Sequence, residues 1–316
     1  MTFKILRPGT HTTIQDEGRN GFYHLGITVS GAIDKKNFKL ANIILNNNVN
    51  EPSLEFALQG PLLEFDGSKL SICITGEVNF DIIRHNEEIE EGYCYKIYNL
   101  NKGDKVDIKS TINSLYGYLA IKDGFDFTNI WKSCSINTKA KIGPNEGMKF
   151  DTNQIIPTKN NSAEIKIKQL RYKNERSTEI RVIKGTNFDY FSEKAQRNFF
   201  DKRFKITNMV DRMGIRLEGN KLENIVSSNI KSEGLIKGVI QVPGDGNPII
   251  MLADHGTIGG YPKIATVISA DLDNLSQLMP NTEITFKEVS LEEAENLFMS
   301  YTKEINKYSK ILNEYN

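Results

Sequence analysis

The sequence predicts a mainly β protein with a few helices, an α+β chain in two domains, on three observations. Short apolar runs bounded by Gly, Asn and Asp recur along most of the chain, the pattern of strands in a barrel or sandwich. Few segments place apolar residues at helical spacing. The 316 residues, at roughly 150 per domain, suffice for about two domains.

In chain order, the first half offers strands at Leu62 to Phe65, Leu70 to Thr75, Phe80 to Arg84, Tyr93 to Tyr98, Lys105 to Ile108 and Tyr116 to Ile121. One helix interrupts them between Asp34 and Asn46. Asp34 can cap its start, Phe38, Ala41, Ile44 and Leu45 share a face, and an Asn run closes it. Residues 157 to 178 are rich in Lys, Asn and Ser, a linker composition, which sets the expected domains at 1–165 and 178–316. Beyond the linker come a strand at Glu179 to Ile183 and a helix whose apolar face would be Phe188, Phe191, Ala195 and Phe199. Strands resume near Ile206, Leu217, Gly238 to Val242, Ile249 to Leu252, Ile264 to Ser269 and Thr282 to Val289. A short helix at Leu272 to Met279 should stop at Pro280. Ser290 and Glu293 have the spacing of a capping box, opening a long amphipathic C-terminal helix with Leu291, Ala294, Leu297, Phe298, Tyr301 and Ile305 on one face.

Composition excludes several function classes. Forty basic residues balance forty acidic ones, so no global field draws the chain to nucleic acid or an anionic membrane. Cys73, Cys94 and Cys134 are odd in number and never in a C-x-x-C pair, and the four histidines are scattered. Neither a disulfide framework nor a metal site is expected. No stretch approaches the roughly 18 apolar residues of a membrane span, and the N-terminus does not read as a leader, so the expected location is the cytoplasm. There is no P-loop, no dinucleotide fingerprint, no nucleophile elbow and no biotin-attachment Met-Lys-Met.

Four segments can carry chemistry, and each also has a plainer reading. Gly238 to Asp254 joins two apolar strands through a turn with Gly244, Asp245 and Gly246, which is a ligand-approach loop or simply a hairpin. Asp254 to Lys263 crowds three glycines, Thr257, Tyr261, an acid and a lysine between buried strands. Lys263 can meet a carboxylate or phosphate as a point charge, or be a solvated loop lysine. In Asp211 to Glu218, a strand would put Arg212 and Arg216 on one face, for bidentate recognition of a carboxylate or for a cross-strand ion-pair ladder. Near the N-terminus, Thr12, Gln15, Asp16, Arg19 and Ser30 either contact a ligand or hydrogen-bond irregular backbone.

Taken together, these segments resemble one family: the KipA-like proteins, also known as allophanate hydrolase subunit 2 or the C subunit of 5-oxoprolinase, which are similar to the A and B subdomains of biotin-dependent carboxyltransferases such as urea carboxylase. The resemblance is carried by Pro8-Gly-Thr-His-Thr-Thr-Ile-Gln-Asp-Glu-Gly-Arg19, Ser30-Gly-Ala-Ile-Asp34, Asp211-Arg-Met-Gly-Ile-Arg-Leu-Glu-Gly219, Ile240-Gln-Val-Pro243 and Gly259-Gly-Tyr-Pro-Lys-Ile-Ala-Thr-Val-Ile-Ser-Ala-Asp271. It runs from about residue 6 to residue 295. The chain departs from the family pattern at Met209-Val210, at Gly244, and at His255-Gly-Thr-Ile258, where Arg-Gln-Thr-Thr-like sequence is usual.

The resemblance implies cyclophilin-like β-barrel architecture and a split active site completed by a KipI-like partner. In the 5-oxoprolinase setting a LamB-like protein joins them, and ATP hydrolysis at the level of the complex drives the opening of 5-oxoproline to glutamate. The expected site has Asp254, Lys263 and Asp245 as catalytic residues, with Arg212, Asp211, Met213, Gln241, Tyr261, Gly259, Gly260, Gln15, Asp16 and Arg19 binding a small amide or lactam. Arg212 and Lys263 would hold anionic groups, and Asp254 or Asp245 would orient the amide or a proton. Two alternatives stay open. In one, the chain is half of a carboxyltransferase acting on urea or another amide, with biotin on a separate carrier held by the amides near Gly259 and Gly260 and by Arg212. In the other, it is a non-enzymatic regulator that counters a KipI-like kinase inhibitor.

Overall fold

The structure, a computed structural model, describes residues 1–159 and 164–314. Part of the expected linker, residues 160–163, lies outside them. The chain forms two compact units, each with segments remote in sequence. The first holds Met1–Arg19, Ser30–Asn174 and the chain from Glu304 on; the second holds Asn20–Val29 and Glu175–Lys303.

The first unit is built on two antiparallel sheets. One has six strands in the order Ile155–Pro157, Thr2–Arg7, Leu62–Asp66, Lys105–Thr111, Val78–Ile83 and Ile89–Glu91. The other has five, in the order His11–Gln15, Ser53–Ala57, Tyr116–Ile121, Lys69–Thr75 and Ile97–Asn101. In Thr2–Arg7 the alternation is plain: Phe3 and Ile5 are buried in one core cluster with Phe65 and Phe80, and with Phe56, Ile74 and Leu119 of the other sheet. Strand Tyr116–Ile121 is buried throughout, because helix α1 (Lys35–Ile44) covers its other side, with Phe38 edge-on to Tyr118 at 6.2 Å. As expected, Asp34 caps α1, accepting from the Asn37 amide at 3.0 Å.

One strand expectation is corrected here. Tyr93 to Tyr98 is not one strand; the strand begins at Ile97, because Tyr95 takes φ 61°, which breaks the extended run while its hydroxyl donates to Asn37 Oδ1 at 2.7 Å.

The second unit contains a closed barrel of seven strands: Glu179–Lys184, Lys263–Val267, Val239–Gln241, Ile249–Met251, Gly214–Gly219, Phe204–Val210 and Glu283–Glu288. Neighbours pair antiparallel, except that Glu179–Lys184 and Glu283–Glu288 run parallel and close the ring. Ile180, Val182, Ile206, Ile215, Leu217, Ile240, Ile250 and Ile264 are buried. Helix α2 (Glu193–Asp201) covers part of it, with Phe199 stacked on Phe286 at 4.5 Å. α2 starts later than its apolar periodicity suggests: Ser192 is its cap, accepting from the Ala195 amide at 3.2 Å, and Phe188 lies in a preceding turn of 3₁₀ helix.

Helix α3 (Leu272–Ser276) ends before the turn at Pro280. Helix α4 (Leu291–Glu314) opens at Ser290, whose hydroxyl accepts from the Glu293 amide at 3.1 Å. Among the described residues no helix is long and apolar enough to cross a membrane.

Candidate functional site

Several loops of the barrel unit converge on the turn Asp211–Gly214. Asp211 makes the turn: its Oδ1 accepts from the amides of Met213 at 2.8 Å and Gly214 at 3.3 Å. Strand Gly214–Gly219 follows, so Arg212 precedes the strand instead of sharing a face with Arg216. Arg212 is buried and Arg216 exposed, which corrects the expected two-arginine face.

The Arg212 guanidinium makes a bidentate pair with Asp254, Nε to Oδ2 at 2.8 Å and Nη2 to Oδ1 at 3.1 Å. The two backbones are tied as well, the Asp254 amide donating to the Arg212 carbonyl at 2.8 Å. Both side chains are almost dry, 6% and 2% exposed. Such a pair fixes two loops against each other; removing one member leaves a buried charge, at a cost of ~3–5 kcal/mol.

Lys263 is also buried, but its partner is different in kind. Nζ pairs with Glu233 at 2.6 Å, and the Glu233 side chain is 46% exposed. Glu233 reaches the ammonium from the surface, so an incoming anion can take the carboxylate's place without leaving the buried charge unpaired. The Lys263 backbone is anchored by Asn187, whose Oδ1 accepts from its amide at 3.0 Å. Glu233 is positioned by a two-stranded ladder, Glu233–Gly234 against Ile258–Gly259.

Gln241 lies beneath this ladder and donates to the Tyr261 carbonyl at 3.1 Å. A Cβ on Gly259 would sit 2.6 Å from Gln241 Nε2, so glycine is needed there to admit the amide. Tyr261 is 38% exposed at the rim.

Asp245 lies elsewhere in the unit, in the exposed hairpin turn between Val239–Gln241 and Ile249–Met251. Its carboxylate accepts from the Asn247 amide at 3.1 Å and side chain at 3.0 Å. The Asn247 amide holds its carboxyl below the usual range, so it serves the turn as an anion. With Gly244 and Gly246 it borders a cavity of about 550 Å³ that also meets Ser192, Lys194 and Lys221.

Gln15, Asp16 and Arg19 belong to the first unit, where they hydrogen-bond irregular backbone. Gln15 donates to the Ile136 carbonyl at 2.8 Å. Asp16 accepts from the Ser133 and Ser135 hydroxyls at 2.7 and 2.6 Å and from the Cys134 amide at 2.7 Å. Arg19, 1% exposed, donates to the Ser135 carbonyl. These contacts fit the plainer of the two readings of the N-terminal segment.

A second cavity, of about 420 Å³, opens over the Asp211 turn and is lined by Asp211, Met213, Gly214, Arg216, Met251 and His255, with Asn208, Met209, Val210, Ile249 and Gly256. Sequence reasoning marks His255 only as a departure from a pattern and passes over Tyr23 and Glu233. His255 is 4% exposed, and burial lowers its pKa from the ordinary value. Its Nδ1 lies 2.6 Å from the Gly256 carbonyl, which can only accept, so the proton sits on Nδ1. Nε2 is 3.4 Å from the Tyr23 hydroxyl, which itself donates to the Leu235 carbonyl. An acid followed by a histidine in a glycine-rich loop is the one signal available for His255. Tyr23 has none, since 232 positions separate it from the ring it faces.

Comparison with known proteins bears on what this arrangement belongs to. The family model described as carboxyltransferase domain, subdomain A and B, matches residues 25–288. The chain belongs to that carboxyltransferase family. The 5-oxoprolinase C subunit of Escherichia coli is 33% identical over 298 residues, covering 92% of each chain. That of Haemophilus influenzae is 32% identical over 315 residues, covering 99% of each. The Kluyveromyces lactis urea amidolyase structure superposes on 97% of this carboxyltransferase-family chain with a TM-score of 0.87 at 26% identity, but the chain spans only 20% of that protein. The family match covers the Asp211 turn and the Asp254 to Lys263 loop alike, and relatives of the same length are named as enzyme subunits.

Proposed function

We propose that this chain is the C subunit of a cytoplasmic, ATP-dependent 5-oxoprolinase, which opens 5-oxoproline to glutamate and builds its active site together with a KipI-like protein and a LamB-like protein. One observation carries the reading: the resemblance to the C subunits of two bacterial 5-oxoprolinases extends over 92% of both chains in one case and 99% in the other. Against the urea amidolyases the chain corresponds to only a small part of a longer protein.

Within this reading Lys263 receives an anionic group, because its buried ammonium is balanced by a carboxylate that can swing into water. Arg212 and Asp254 instead hold the Asp211 turn against the Asp254 loop, and so position the residues around them. ATP, bound at the level of the complex, supplies the free energy for opening the lactam.

Reconstitution tests this directly. The three proteins together should release glutamate from 5-oxoproline only when ATP is present, and complete absence of product from every three-protein mixture would falsify the assignment. In the active complex, Lys263→Ala should raise KM about tenfold or more. Arg212→Ala should lower the unfolding free energy by ~3–5 kcal/mol, as expected for an orphaned buried carboxylate.

The superposition on urea amidolyase favours a second reading, half of a biotin-dependent carboxyltransferase. Of the groups it would use for the ureido ring, the Arg212 guanidinium is committed to Asp254. Decarboxylation of free carboxybiotin by the chain with its partner would restore this reading.

A further inference from the structure

The 420 Å³ cavity over the Asp211 turn holds a combination of groups that the proposed function has not used. Its volume falls within the roughly 300–1,000 Å³ of small-molecule sites. Met209, Met213, Met251 and Ile249 supply an adaptable apolar wall. Gly214 keeps the strand close beneath: a Cβ there would lie 2.7 Å from the Ile250 carbonyl.

Two polar groups on this wall are not consumed by the fold. Arg216 makes no ion pair within 4.0 Å among the described residues, unlike Arg212 and Lys263, and acts on the Asp245 carboxylate only through its field. Its guanidinium is therefore an available anion site of the barrel unit, planar and suited to a carboxylate. The second is His255. With the Nδ1 proton given to Gly256 and the Tyr23 proton given to Leu235, Nε2 presents a lone pair whose polar neighbour is 3.4 Å away, a distance at the limit of hydrogen bonding. A buried acceptor so poorly satisfied calls for a donor.

We propose that this cavity binds a small ring amide bearing a carboxylate, with the carboxylate on Arg216, the amide N–H donating to His255 Nε2, and the ring carbons against the methionines. The inference rests on the 5-oxoprolinase reading for the identity of the ligand. It goes beyond that reading by placing the ligand's carboxylate on Arg216, leaving Lys263 to another anionic group of the reaction, and by giving a role to a histidine that stands where the family pattern has other residues. Asp211, which shares the cavity, spends one carboxylate oxygen on the turn amides, so it shapes the rim.

The test is binding of 5-oxoproline to the full-length chain, followed through the ring C–H signals of His255 in NMR spectra and assigned by their loss in His255→Gln. Saturable shifts are expected. Arg216→Gln, a change at an exposed position that leaves the fold intact, should weaken binding about tenfold, and 2-pyrrolidinone, which lacks the carboxylate, should bind the parent chain about tenfold more weakly than 5-oxoproline. No saturable shift, or affinity unchanged in Arg216→Gln, overturns the inference. The two proposals fail separately. Arg216-dependent binding by a chain whose reconstituted complex makes no glutamate removes the oxoprolinase reading alone; an active complex whose KM and kcat are untouched in both Arg216→Gln and His255→Gln removes this site alone.

Discussion

Charged side chains in the barrel unit are sorted by where their partners sit. Arg212 and Asp254 are both dry and act as a clamp; Lys263 is dry but its partner is wet, so the pair can open; Arg216 stands without an ion pair among the described residues. Residue type alone makes these three cations equal candidates, and only burial separates them. His255 is a similar case. Burial lowers its pKa from the ordinary 6.5, outweighing the Gly256 hydrogen bond and Asp254, while Lys237 acts in the same direction as burial. The folded chain thus holds this imidazole neutral at pH values where the unfolded chain has protonated it. Its contribution to stability is present above pH 6.5 and is lost as pH falls from there through the lowered value. In urea unfolding between pH 7.5 and 5, His255→Gln should show a shallower loss of stability than the parent chain; an identical slope would mean the histidine is not linked to folding.

Elements whose ends are set by local chemistry are the legible ones. Asp34 and Ser290 announce the helices they cap, whereas strand Thr2–Arg7, for all its alternation of Phe3 and Ile5, is not among the expected strands. Where a start or stop depends on a tertiary partner, pattern misleads. The phenylalanines before Ser192 extend an apolar stripe beyond the helix because they pack from a 3₁₀ turn, and Tyr95 breaks a plausible strand to reach Asn37. Gly214 shows the same dependence in a single atom. Nothing in its sequence neighbours demands glycine, yet the approach of the Ile250 carbonyl does. Gly214→Ala should lower the midpoint of urea unfolding with an unchanged m-value, by ~1–3 kcal/mol for an overpacked contact with backbone, and should also distort the cavity floor. Retention of the parent midpoint would show that the barrel yields there at no cost.

At the scale of the whole chain, the barrel unit is discontinuous. Residues 20–29 belong to it, through Tyr23 to the Leu235 carbonyl and Thr28 to the Ala253 carbonyl at 3.4 Å. A fragment of residues 175–303 therefore lacks a strip of its own fold. It should unfold at lower urea than the same unit in the intact chain, and a peptide spanning residues 20–29, added in excess, should restore part of the difference; no stabilisation by the peptide would argue that the strip is dispensable. The ring itself closes by pairing Glu179–Lys184 with Glu283–Glu288, strands near opposite ends of its long segment, Glu175–Lys303. Periodicity, caps, turn residues and motif order were enough to reveal a β-rich chain, most of its elements and its family, because these depend on interactions within a few residues along the chain or on strings of residues kept in order. Which cations are neutralised, which imidazole nitrogen is left with its lone pair, and which early segment completes the barrel were decided by contacts between positions tens to hundreds of residues apart. Such contacts leave no local trace, since the energy of a charge or an acceptor depends on the water and partners that folding removes or supplies.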